Sequence, residues 1–189
     1  MPQDLDLIET DRLILSGWRR DQLSDLMRLH GDPRVTTYFH PPRPWTEAEA
    51  LTALETWMEL FATRRLGKLR VRRKADGVMV GRAGFGIWAP TGEAEIGYAV
   101  LPEFWGNGYA FEAASGLRDW FFRANDDDRF IGLADVDNTP SLAVLTRIGM
   151  IPTIAPYLLP QLIPHLQAHY PKLELKVREA ITDTLVGEL

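Results

Sequence analysis

The 189-residue chain contains no cysteine. That excludes disulfides, thiolate metal sites and a cysteine nucleophile, and it fits a reducing cytosol. No apolar run approaches the roughly 18 residues that a membrane span needs. The opening "MPQDLDLIETDR" is acidic and has no apolar core, so no secretory leader is expected. There is no internal repeat and no low-complexity tract. Basic excess is also missing: 21 Lys and Arg face 26 Asp and Glu, a net charge of −5. A nucleic acid is therefore not the expected partner. Histidine is scarce and scattered. Of four, only His165 and His169 have an i, i+4 spacing, with no third ligand beside them, and no metal site is expected. What remains is 46% hydrophobic with six tryptophans, the composition of a globular protein with a full core.

Periodicity gives a mixed α/β order. Residues 12–18, "RLILSGW", read as a first strand. A helix follows, with Leu23, Leu26, Met27 and His30 at helical spacing, stopped by Gly31 and Pro33. "HPPRPW" is a stiff extended loop. Thr46 then caps a second helix, with Glu49 three residues on and Ala50, Leu51, Leu54, Trp57, Met58 and Phe61 along its apolar side. Asp76-Gly77 marks a hairpin turn. Residues 93–101 form a further strand, 108–123 a helix, 129–136 a strand and 139–149 a short helix with Pro140 at its start. The stretch "RRLGKLRVRRK" holds seven basic residues and reads as a solvated hairpin, or as a patch that steers an anion.

The loop "WGNGYA" joins a strand to a helix start. Gly106 and Gly108 let the backbone turn and let another molecule approach. The first amides of the helix lack partners and favour an anion. The spacing fits neither a dinucleotide fingerprint nor a P-loop. On the loop alone, a tight strand–helix turn explains it as well.

The neighbouring residues add to this. "EIGYAVLPEFWGNGYAFEA" resembles the pyrophosphate-binding motif of the GNAT family of N-acetyltransferases, Gln/Arg-x-x-Gly-x-Gly/Ala. Gly108, Tyr109 and Ala110 match its last three positions, and Trp105 stands where Gln or Arg is usual. That departure is similar to the subgroup that acetylates ribosomal-protein N-termini. "ETDRLILSGWRRDQLSDL" and "VDNTPSLAVLTRIGM" resemble the same subgroup, so three ordered motifs span about residues 7–150.

The resemblance implies a GNAT-like fold, a mixed sheet with helices, and acetyl-CoA as co-substrate. It puts the pyrophosphate on the amides of Gly106, Asn107, Gly108, Tyr109 and Ala110. The pantetheine arm would lie along the "YAVL" strand, with Val100 as its main-chain contact. Asn138 and Ser141 would lie near the cofactor, although Asn138 can equally serve as a turn or cap. Glu95 is the candidate base, on one strand side with Glu93, Gly97 and Ala99; as a plain polar residue of a half-exposed strand it needs no role. The tyrosine that many members use as acid is replaced by Leu145, and Ser141 is the hydroxyl that the resemblance offers instead. The acceptor would be a primary amine, a protein or peptide N-terminus or a small amine, reached by direct transfer. A homodimer stays open, as does a cytoplasmic location.

The last segment has a different texture. Residues 151–189 hold five of the 13 prolines. From about 149 onwards, "IPTIAPYLLP" and "YPKLEL" resemble the start of the effector-binding domain of LysR-type regulators, peroxide-sensing branch. The rest of that domain is missing, so no regulator function follows. The expected organisation is a catalytic core over 1–149 and a βαβ segment over 150–189. In that segment, strand 150–155 would replace the sixth strand of the sheet and strand 173–178 would extend it. Three functions stay in view: an N-acetyltransferase, a non-catalytic CoA-binding or structural chimera, and an effector-binding module.

Overall fold

A computed structural model describes residues 6–150 of the chain. Among the described residues, six strands form one sheet in the order of the chain: β1 (Asp6–Glu9), β2 (Leu13–Ser16), β3 (Gly67–Arg73), β4 (Met79–Trp88), β5 (Glu93–Val100) and β6 (Ile131–Gly132). Neighbours from β1 to β5 pair antiparallel, whereas β5 and β6 pair parallel. The change of direction follows from the connection. A helix, α3 (Tyr109–Ala124), lies between β5 and β6, and a parallel pair needs such a crossover.

Helices cover both faces. α1 (Leu23–His30) and α2 (Glu47–Arg64) pack with Trp18, Met79, Ala99 and Leu101 on one face. α3 and α4 (Thr139–Arg147) pack on the other, over Leu15, Val71, Phe85 and Ile96. Strand alternation sorts the side chains between these two cores. In β3, Leu69 and Val71 face α3, which sends Lys68 and Arg70 to the α1–α2 face. Around Phe85, the rings of Phe121 and Phe130 stand 4.7 and 5.2 Å away. Such contacts add ~1 kcal/mol each to the area buried.

Local signals explain the element ends. Thr46 and Glu49 form the expected capping box at α2. Gly77, with φ +72°, closes the β3–β4 hairpin behind Asp76, whose carboxylate accepts from Val78 N. α4 ends in a Schellman motif: Gly149 N donates to Thr146 O and Met150 N to Leu145 O, both at 3.0 Å, with Gly149 at φ +86°. Met150 thus belongs to the helix end and not to a strand. The remaining expectations for the tail, strands to 155 and at 173–178 with a helix at 157–169, lie outside the described residues. Among the described residues no helix is long and apolar enough to cross a membrane.

Three expectations need correction. The strand expected at 12–18 is β2, and a further strand, β1, precedes it, paired back on it where the chain turns between Thr10 and Leu13 through a 3.0 Å main-chain bond. The strand expected at 129–136 is only Ile131–Gly132, because β6 leaves β5 directly after that pair. The basic stretch is a solvated hairpin only in part. Period-two alternation drives Lys68 and Arg70 beneath α1 and α2, where Arg70 pairs with Asp25 at 2.6 Å.

Candidate active site

The loop after β5 is built as a cradle. Gly106 and Gly108 hold φ of +77° and +76°, a region that side chains strongly disfavour. A Cβ at Gly106 would meet nothing within 4 Å, and at Gly108 only Arg12 Nη2, at 3.6 Å. Asn107 braces the turn through Nδ2, which donates to Phe104 O and Trp105 O. Gly108 is the N-cap of α3, and no side chain caps that helix; its first intrahelical bond is Glu112 N to Gly108 O at 3.0 Å. The main-chain amides of Gly108, Tyr109, Ala110 and Phe111 therefore start the helix as donors with the positive dipole end behind them.

Arg12 was not foreseen from sequence, being 95 residues away. Its Nη1 donates to Asn107 O at 3.0 Å, its guanidinium lies 4.8 Å from the Tyr109 ring centre, and Glu112 holds it through a 2.6 Å ion pair. It thus brings positive charge to the same corner.

Next to the cradle the sheet opens. Leu101 N donates to Val80 O, so Gly81 and Val100 are a non-hydrogen-bonded pair. The main-chain groups of Ile96, Tyr98 and Val100 consequently point away from β4. β6 meets β5 only at Glu95 and Ile96, so Tyr98 and Val100 face the fork. Val100 O is engaged by the indole Nε1–H of Trp105 at 2.7 Å. Trp105 is half exposed, at 51%. Val100 offers its N–H, and its carbonyl already has a partner. Open edge groups and an uncapped helix start suit an amide chain ending in a diphosphate.

Asn138 and Ser141 sit at the start of α4, as the sequence suggested. Asn138 is the N-cap, and its Oδ1 accepts from Ser141 N at 3.3 Å. Ser141 Oγ is 2.9 Å from the Tyr98 hydroxyl, which also donates to Ser141 O. Burial pushes the Tyr98 hydroxyl above its ordinary pKa, so it stays protonated near neutrality. The Tyr98–Ser141 pair bridges β5 and α4 across the fork. Sequence reading named Ser141 but not its contact with Tyr98.

The α1–α2 face of β4 and β5 carries the remaining chemistry. Glu95 is half-buried, and its carboxylate makes no hydrogen bond or ion pair among the described residues. Lys68 Nζ donates to Gly84 O and Glu95 O, both at 3.2 Å. Burial, then the Arg82 charge, bring its pKa down to about 7, against the favourable Glu95 charge. Arg82 is buried, and its Nε donates to His30 Nε2 at 3.0 Å. His30 is accordingly neutral, with its pKa pushed down to about 2 by burial and by Arg82. It stacks on Trp45 at 3.7 Å. Arg82 itself is lowered to about 10 by burial. None of Lys68, Arg82 and His30 stood out in the sequence as site residues. Among the described residues no group of acidic or histidine side chains could hold a metal ion.

The chain resembles known proteins over most of its length. The acetyltransferase (GNAT) domain family matches residues 12–151. The uncharacterized N-acetyltransferase YoaA of Bacillus subtilis is 28% identical over 144 residues, 76% of this chain and 81% of that protein. The ribosomal L7/L12 alpha-N-protein acetyltransferase, solved in complex with coenzyme A, superposes with a TM-score of 0.65 at 20% identity, over 77% of this chain and 83% of that one. At that identity the likeness is one of fold. The LysR substrate binding domain family matches residues 144–189. There, the hydrogen peroxide-inducible genes activator of Pectobacterium carotovorum is 55% identical over 43 residues, 23% of this chain and only 14% of that protein. The GNAT match spans most of the chain and includes both the cradle and the fork, and the chain therefore belongs to the GNAT family as an acetyl-CoA-dependent N-acetyltransferase.

Proposed function

We propose that the chain transfers the acetyl group of acetyl-CoA directly to a primary amine, a protein N-terminus or a small amine. The observation that carries this reading is the uncapped start of α3 behind two left-handed glycines, set beside the open edge of β5. The amides of Gly106, Asn107, Gly108, Tyr109 and Ala110 hold the diphosphate, and Arg12 adds charge. Val100 N–H bonds the pantetheine arm, with Asn138 at the far wall of the fork.

The chemistry needs an unprotonated amine. Glu95 takes its proton, directly or through water. The amine nitrogen then attacks the thioester carbonyl carbon, and the new oxyanion is met by main-chain donors of the open β5 edge. Collapse breaks the carbon–sulfur bond and releases the thiolate of CoA; the surplus proton of the attacking nitrogen passes to that sulfur through the Ser141 hydroxyl, which gives one proton and takes up the other, held in place by Tyr98, while Glu95 returns its proton to solvent. The amide product and free CoA leave. In this reading residues 1–149 form the catalytic core. The enzyme would work in the cytoplasm, alone or as a homodimer, with neither nucleic acid nor membrane as partner.

Calorimetric titration with acetyl-CoA, followed by thiol release on peptides with N-terminal Ser or Ala and on small amines, tests the proposal. Binding with turnover is expected. Absence of binding at millimolar acetyl-CoA refutes it, and binding without transfer to any primary amine leaves a CoA-binding chimera.

A further inference from the structure

Arg82 is buried to 8% exposure, yet among the described residues no carboxylate pairs with it. Its one hydrogen bond goes to neutral His30. The contrast with its cross-strand neighbour is direct. Arg70 lies opposite Arg82 in β3, and Asp25 neutralises it through bonds of 2.6 and 2.8 Å. A buried guanidinium without a counter-charge is costly to fold. Here it is held by the faces of Trp57 and Phe39, 5.3 and 5.5 Å from its central carbon.

The unpaired end of Arg82 has a definite aim. A Cβ built on Gly97 would lie 4.0 Å from Arg82 Nη1 and 2.7 Å from Lys68 Nζ. Two cations thus converge on one point above Gly97. No side chain of β5 or β4 stands there, at Gly97 or at Gly84 and Gly86 alongside, and the atoms nearest that point are the Lys68 ammonium and Arg82 Nη1. Gly97 directly follows the last β5 residue paired with β6, so the point lies at the fork. Glu95, two residues before on the same face, acts on both cations without closing an ion pair on either. Asp25 is committed to Arg70. Lys68 also lines a cleft of about 210 Å³ with Trp18, Trp57, Met58 and Phe61, so the Lys68 end of the cluster meets that cleft.

The geometry points to an acceptor that carries a carboxylate beside its amine: an amino acid or related amino acid-like amine, seated over Gly97 with its carboxylate on Arg82 and Lys68 and its amine toward Glu95. This rests on the acetyltransferase reading above and names the substrate class of that site. Arg82 supplies two planar donors and Lys68 its third proton, a set suited to the two oxygens of a carboxylate. The acceptor's anion supplies the counter-charge that the described residues do not give Arg82.

The test compares each of the twenty amino acids with its own amide as acceptor, by thiol release from acetyl-CoA with the full chain. The amide keeps the side chain and removes the negative charge; its amine is less basic, which by itself favours the amide, so a preference for the acid reports on the carboxylate. At least one amino acid is expected to exceed its amide in kcat/KM by about tenfold or more, through KM, as hydrogen bonds to a charged group require. In Lys68→Gln and Arg82→Gln that ratio should fall toward one. Lys68→Gln keeps the test valid should the buried Arg82→Gln fail to fold. Amides that match or exceed their acids throughout, or no acid turned over at all, overturn the inference even when acetyl-CoA binds. Absence of acetyl-CoA binding refutes the underlying acetyltransferase reading instead.

Discussion

Gly97→Ala separates the working surface of the sheet from its architecture. The added methyl would stand 2.7 Å from Lys68 Nζ and 3.4 Å from Cε, and its nearest obstacles are the far end of a flexible side chain. Ordinary contact begins near 3.4 Å, so the ammonium must retreat by about 0.7 Å. That loosens its bonds to Gly84 O and Glu95 O, already long at 3.2 Å. Losing both costs about 1–2 kcal/mol. Replacing glycine by alanine within a strand returns roughly 0.5–1 kcal/mol, since the unfolded chain has less freedom to lose. The net change in stability is therefore about 1 kcal/mol or less, a shift of about 2–4 °C in Tm for a chain of this size. Acetyl-CoA affinity, set at the cradle and the fork edge, should stay within about twofold. The acceptor platform is filled, so acceptor KM should rise by about tenfold or more. Thermal unfolding, calorimetry and steady-state kinetics on one preparation read all three. A Tm loss above about 10 °C, or unchanged acceptor KM, would refute the reasoning.

Other outcomes follow from the same geometry. Gly108→Val forces a β-branched side chain to φ +76°, which costs about 1–2 kcal/mol and displaces the first α3 amides. Acetyl-CoA binding by calorimetry should weaken by more than about tenfold, with the far-ultraviolet dichroism of the fold retained. Glu95→Gln should lower kcat by about 100-fold and spare acetyl-CoA affinity; equal turnover removes Glu95 as the base. His30 is neutral in the fold, with its pKa at about 2 against 6.5 when free. Below pH 6.5 the unfolded chain binds a proton that the folded chain refuses, so stability falls with falling pH. Between pH 6.5 and 5 the slope from this group rises from about 0.7 to about 1.3 kcal/mol per unit, and urea titrations should show it flattened in His30→Gln, which keeps an acceptor for Arg82 Nε.

Much of the frame could be read from the chain because its signals are local. The Thr46–Glu49 box, the Asp76-Gly77 turn and the glycines at 106 and 108 each fix a backbone conformation within a few residues. β1 was harder. It is four residues long, acidic, and joins β2 through a shifted register between Asp6 and Ile8. β6 was overextended because apolar content is the same whether a strand is paired or has left its neighbour. Within the candidate site, residues on the loop and at the α4 start could be named, since helix starts announce themselves. Their couplings could not be: Tyr98 meets Ser141, and Arg12 meets Asn107, only through the fold. The basic stretch misled for another reason. Charge counted along a run hides the alternation of β3, which turns Lys68 and Arg70 inward. Likewise His30 sat on the right helix face, while its partner Arg82 lies 52 residues on.

The central claim is that main-chain amides at the start of α3 grip the diphosphate of acetyl-CoA. Proton–nitrogen correlation spectra of the labelled chain, recorded as CoA is added, test it most directly. The amides of Gly106, Asn107, Gly108, Tyr109, Ala110 and Phe111 should show the largest shifts, ahead of Tyr98 and Val100 along the fork. CoA binding that leaves those six amides unmoved would contradict the account.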